Sequence, residues 1–225
     1  MAVATTTRPA AAAATTINAS KAWAWSGIAA FVIGVAFTWA PAFFGVSDGE
    51  AKNPDTLFQA LDSGTDRWIG QVSSGLGFIA VASLVVFAAG YSRLLRERMP
   101  ESLAAPVAYT ALTATAGALV IAAVFRAMLF DSWDYYDNSA HAVFYSLSWD
   151  VSLAGWTLLF VPALASAVGA FRGALPRWFG WLSIVMAALA ILLMMFGLAF
   201  PAHVPGLLWL LSASIVSLRA HEPAR

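Results

Sequence analysis

Six stretches of this chain are apolar and long enough to cross a lipid bilayer. A helix needs about 20 predominantly apolar residues to cross a hydrocarbon core of roughly 30 Å. Residues 22–44, from Ala22 to Phe44, hold no charged side chain, and neither do residues 69–91, from Ile69 to Tyr91. The third stretch, about 105–130, contains Arg126, and the fourth, about 145–170, contains Asp150. The fifth, 178–200, is again free of charge, and the sixth, about 202–218, is near the short limit for crossing. Composition agrees with this pattern. Of 225 residues, 60% are hydrophobic and 11% are charged, against about 25% charged in an ordinary soluble domain. So much apolar surface excludes a soluble globular enzyme and a disordered chain. Twelve basic and twelve acidic residues leave no net charge, which argues against a nucleic-acid partner. The absence of cysteine removes disulfides and thiolate metal sites.

The expected fold is therefore all-α: a polytopic six-transmembrane-helix bundle over 21–219, between a disordered tail at 1–20 and a short tail at 220–225. The first stretch resembles a secretory leader at Ala40-Pro41-Ala42, a small-x-small sequence. It is longer than a leader core and is flanked by Trp23, Trp25 and Trp39, so it reads as a retained helix. The sequence Pro201-Ala-His-Val-Pro205 leaves little loop before the last stretch. Stretches five and six should form a tight hairpin, with Pro205 in a first helical turn.

Charge sets the expected orientation. Arg8, Lys21, Arg93, Arg96, Arg98, Arg172, Arg177, Arg219 and Arg225 all fall on one side if six helices alternate. The other side holds Lys52 and Arg67 among many aspartates. The positive-inside rule puts both termini in the cytoplasm and the protein in the cytoplasmic (inner) membrane. Trp178, Trp181, Tyr91 and Tyr109 then belong to the inner aromatic belt, and Trp39, Trp68, Tyr145 and Trp149 to the outer one. Trp156 and Trp209 lie deeper and read as packing residues.

The two outer loops are long. Asn53-Pro54-Asp55-Thr56 reads as a capped helix start, with Leu57, Phe58 and Leu61 on one face, either on the membrane or capping the bundle. The second loop, 131–144, carries Asp131, Asp134, Asp137 and His141.

The candidate binding residues are Arg126, Asp150, His141 and His203. Ala114, Ala118, Ala122 and Arg126 recur every four residues and suggest a close-packing face. Ser146, Asp150, Ala154 and Thr157 suggest a second. A charge in the membrane pairs or faces water, so an Arg126–Asp150 ion pair is expected, with Asp131 as rival partner. The pair would be either a clamp between spans or an anion-binding or proton-handling site below an outward cavity. His141, His203 and Asp134 are the candidate metal ligands, although their spacing matches no standard metal motif. His221 reads as solvated in the tail. No pair of histidines is placed for a haem, and no cofactor is assigned. Ser73, Ser74, Ser212 and Ser214 read as interhelical hydrogen bonders or small packing residues.

The segment Leu175-Pro176-Arg177-Trp178-Phe179-Gly180-Trp181 resembles one found in small six-span bacterial membrane proteins of an uncharacterised, domain-of-unknown-function family. That resemblance implies a bacterial inner-membrane protein and transfers no catalytic residue. Three functions stay open at this point. One is an accessory or interaction protein, such as a subunit of a larger membrane complex. The second is a small carrier or binding protein for a lipid, quinone or other lipophilic ligand. The third is a membrane enzyme with an outer-face metal or acid–base site. The expected partners are the lipid bilayer and other membrane subunits, with no nucleic acid.

Overall fold

A computed structural model describes residues 10–44, 46, 53–62, 64–131 and 134–220. It is helical, with no strand among the described residues. The helices are α1 (Ala10–Trp39), α2 (Pro54–Leu61), α3 (Gly64–Arg98), α4 (Ala104–Asp131), α5 (Asn138–Thr157), α6 (Phe160–Phe171), α7 (Arg177–Met195) and α8 (Ala199–Arg219). A 3-10 turn, Ala40–Phe43, closes α1. Six segments have the length and hydropathy to span a membrane: Lys21–Phe43, Gly64–Arg98, Ala104–Asp131, Asn138–Phe171, Arg177–Met195 and Ala199–Arg219. This is an integral membrane protein built as a six-span helical bundle. Residues 1–9 of the expected tail, and His221, lie outside the described residues; the backbone is helical from Ala10.

Two prolines shape the spans. The fourth span is two helices, because Pro162 has no N–H for the carbonyl of Leu158, four residues earlier. The chain passes the break with Val161 N–H on Leu158 O at 3.1 Å and resumes as α6. Pro205 lies inside α8 rather than in its first turn, since that helix begins at Ala199, a turn earlier than the sequence suggests. The hairpin between α7 and α8 is as short as expected. Gly197 at φ +73° ends α7 in a Schellman motif, with Leu198 N–H on Leu193 O at 2.8 Å. Gly173, at φ +87°, ends α6 the same way, with Ala174 N–H on Gly169 O at 2.9 Å.

Helix α3 lies between α1 and α4; α4 also packs on α5 and α6, and α8 packs on α1, α5 and α7. Without a hydrophobic drive between helices in lipid, close contact depends on small residues meeting large ones. A Cβ on Gly34 would stand 2.3 Å from the Trp156 ring, and one on Gly90 would stand 2.2 Å from Trp23. A Cβ on Gly206 would meet the Trp156 backbone oxygen at 2.3 Å, so α5 and α8 touch backbone to backbone there. Trp156 and Trp209 are fully buried packing residues, as expected, and each also donates its indole N–H: to Thr38 Oγ1 at 2.7 Å and to Ser183 Oγ at 3.1 Å. Tyr91 departs from the sequence reading. It is buried rather than interfacial, and its hydroxyl meets Ser166 Oγ at 2.6 Å. Ser166 in turn donates to Pro162 O at 2.7 Å. Ser73, Ser74, Ser212 and Ser214 all donate to their own helices' carbonyls, so they act as small packing residues and not as interhelical bonders.

The short helix after Asn53 is present. Asn53 Oδ1 accepts from Asp55 N–H at 3.0 Å, and Leu57 and Leu61 are fully buried against Phe44, Leu129 and Phe130. Helix α2 therefore caps the bundle, packed on α5, and Asn138 Nδ2 donates to Asp55 Oδ1 at 2.7 Å to hold it there.

Candidate functional site

The polar interior gathers where α1 ends. Pro41 lacks the N–H that would reach the carbonyl of Phe37, four residues before it, so that carbonyl is left without its helical donor. Arg126 of α4 supplies one, because its Nη1 donates to Phe37 O. The guanidinium also lies over the Phe37 ring, 4.2 Å from its centroid, an arrangement the ring quadrupole favours. Arg126 is 0% exposed. The next two residues of α1 meet other helices in the same layer: Thr38 takes the Trp156 indole, and Trp39 packs edge-on to Phe200 and against His203.

Arg126 faces inward, but the expected ion pair does not form. Among the described residues the ion pairs are Arg67–Asp62 and Arg93–Glu97, both outside the bundle core. Asp150 is exposed on the bundle's outer surface, and Asp131 is exposed too. The α4 stripe misleads because an α-helix turns every 3.6 residues, so four-residue steps drift around the axis; the α5 stripe keeps to one side of its helix, but to the outward side. Ala122 and Arg126 are buried, while Ala114, at the far end of their stripe, is exposed. On α5 the buried face runs through Ser148, Ser152 and Trp156, leaving Ser146, Asp150 and Ala154 outside. Arg126 thus clamps α4 to α1 rather than to α5.

The histidines sit apart. His141 falls in the first turn of α5, which starts at Asn138 rather than near Tyr145. Its Nδ1 meets Asp137 O at 2.8 Å, and its ring packs edge-on to Phe58 and Tyr136. His203 is buried against Trp39 and Phe200, with Nδ1 on Phe200 O. A carbonyl only accepts, so that bond makes Nδ1 a protonated nitrogen, and Nε2 is buried without a partner among the described residues. Asp134 is exposed in the turn before α5. The structure does not bring His141, His203 and Asp134 together: among the described residues no group of three or more His, Asp or Glu forms a ligand cluster.

A second feature lies at the arginine-rich end, on the flank between α4 and α6. There Leu103, Val107, Phe160, Leu164 and Val168 line an apolar groove of about 590 Å³ that ends at Glu101, Ser102 and Arg172. Phe160, Leu164, Val168 and Arg172 follow at four-residue steps, so over this short helix they form one wall. Sharing Leu103, Val107 and Val161, a second groove of about 470 Å³ continues past Thr110, Ala111 and Ala114. Of the small residues expected to pack helices, Ala114 lines this groove instead, while Ala122 is buried as expected. Both volumes fall within the roughly 300–1,000 Å³ of small-molecule sites. Nothing in the sequence reading pointed to this groove, because it depends on the break before Pro162 that sets the direction of α6.

Compared with protein-family models, with curated proteins and with solved structures, the chain matches none.

Proposed function

We propose that the protein is a non-enzymatic binding protein or carrier for a lipid or similar long-chain amphiphile. The paired grooves between α4 and α6 carry this reading: a largely apolar surface cleft whose charged side chains, Glu101 and Arg172, lie in one of the two grooves only. An acyl chain suits the walls and a polar head group suits those charges. The test is lipid retention. Protein extracted in mild detergent is to be analysed by native mass spectrometry, beside Val161→Trp, which fills the shared part of the groove. Retained lipid in the parent and its loss in the variant support the reading; equal retention contradicts it.

A second reading is a subunit or interaction protein of a membrane complex. Helix α7 supports it, because Trp181, Val185, Leu189, Leu192 and Met195 are exposed and its main neighbours are α6 and α8 alone. Isolation from the native membrane always as a lone chain would count against it. The arginine asymmetry supports cytoplasmic termini in an inner membrane. The Leu175–Trp181 segment supports kinship with the six-span bacterial family.

A further inference from the structure

The buried guanidinium of Arg126 is only partly satisfied. Its Nη1 is used on Phe37 O, while Nε and Nη2 are buried and, among the described residues, have no partner. These two atoms are not scattered. In a guanidinium the Nε–H and one Nη2–H point the same way and form the side edge that matches the two oxygens of a carboxylate. The open part of Arg126 is therefore a complete two-pronged donor, inside the bundle, on a side chain 0% exposed. An unpaired buried cation costs several kcal/mol as an order of magnitude. No Asp or Glu among the described residues pairs with it.

The surroundings narrow the choice of occupant. One face of the guanidinium is covered by the Phe37 ring. One turn further along the same side of α4, Leu129 and Phe130 join Phe44, Leu57 and Leu61 in the apolar cluster under α2. A strongly hydrated dianion would lose its water there with little in return. Tyr145 is the titratable side chain that acts on the guanidinium, and a monoanionic carboxylate whose remaining surface is apolar suits the two prongs and these mainly apolar neighbours.

We propose that the Nε–Nη2 edge of Arg126 binds the carboxylate of a lipophilic acid within the bundle. The site is distinct from the α4–α6 groove and does not depend on it. The carboxylate accepts two hydrogen bonds, neutralises the buried charge and leaves the Nη1 bond to Phe37 O in place. Occupancy then stabilises the fold by mass action.

The test is thermal unfolding of the full chain in detergent with dodecanoate, acetate, inorganic phosphate or chloride. It compares the parent with Arg126→Lys, which keeps a cation and one donor but has no two-pronged edge. Dodecanoate is expected to raise the parent's Tm, with apparent affinity falling at least about tenfold in Arg126→Lys, the scale of one lost charged hydrogen bond. Equal action of acetate, also lost in Arg126→Lys, supports the site with a small free acid as its source. Stabilisation by phosphate or chloride alone overturns it, as does no stabilisation by any anion. An effect of dodecanoate that survives Arg126→Lys but is lost in Val161→Trp places the acid in the groove; that overturns this site and leaves the lipid-binding reading standing. If Arg126→Lys does not fold, solid-state NMR on the parent decides. A dipolar contact between the ¹³C carboxyl of dodecanoate and a guanidinium ¹⁵N, retained in Arg98→Lys and Arg172→Lys, supports the proposal; no such contact overturns it.

Discussion

Two arginines of this protein do the same job in different solvents. Arg98, at the exposed end of α3, donates Nη1 to Ala174 O at 2.6 Å and Nη2 to Ala220 O at 3.1 Å. It thereby ties the turn that follows α6 and the C-cap of α8 to α3. Arg126 likewise takes a carbonyl at a helix end, that of Phe37 in α1. Both act where a helix leaves acceptors unfilled and its dipole is negative. Arg98 is exposed, so water completes its remaining bonds. Arg126 is enclosed, and water is not freely available to its Nε and Nη2. An identical cap is thus a minor fastening at the surface and a demanding, ligand-seeking group inside.

Arg126→Ala should show the largest effect. It strands the Phe37 carbonyl and opens a cavity under the Phe37 ring, at a cost of about 3 kcal/mol by unfolding in mixed micelles with dodecanoate present, where the parent's buried charge is neutralised. Gly206→Val should follow. Its Cβ meets the Trp156 backbone oxygen at 2.3 Å, which must push α5 from α8 at a cost of about 2 kcal/mol. Helix content kept with a lowered Tm is the expected reading; an unchanged Tm would break the packing account. Trp156→Phe keeps most of the ring but removes the N–H from Thr38 Oγ1, and should cost about 1 kcal/mol. Arg98→Ala should cost least, no more than about 1 kcal/mol, because water takes over the two carbonyls. A loss as large as that of Arg126→Ala would erase the distinction between the two sites.

Much of the fold was legible from the sequence because lipid leaves few choices. Backbone groups must be satisfied within each span, so long uncharged runs become helices. The cap at Asn53, the hairpin after α7 and the burial of Arg126 follow from local chemistry in the same direct way. What failed depended on rotation about a helix axis or on proline's reach. A four-residue stripe points Asp150 inward, yet the buried side of α5 is the one holding Ser148 and Ser152. The partner of Arg126 is a backbone carbonyl, which has no signature of its own in sequence. The signal available was Pro41, four residues after Phe37, since a proline releases the carbonyl at that spacing. The groove could not be read at all, because it is defined by the space between two helices and not by any residue's chemistry.

The most direct test of the capping account is a double-mutant cycle between Pro41→Ala and Arg126→Ala, read as unfolding free energy. Alanine at position 41 restores an N–H within reach of Phe37 O, so the carbonyl no longer depends on Arg126. The account predicts that Arg126→Ala then costs about 1 kcal/mol less than in the parent, the size of one hydrogen bond. An identical cost in both backgrounds would contradict it.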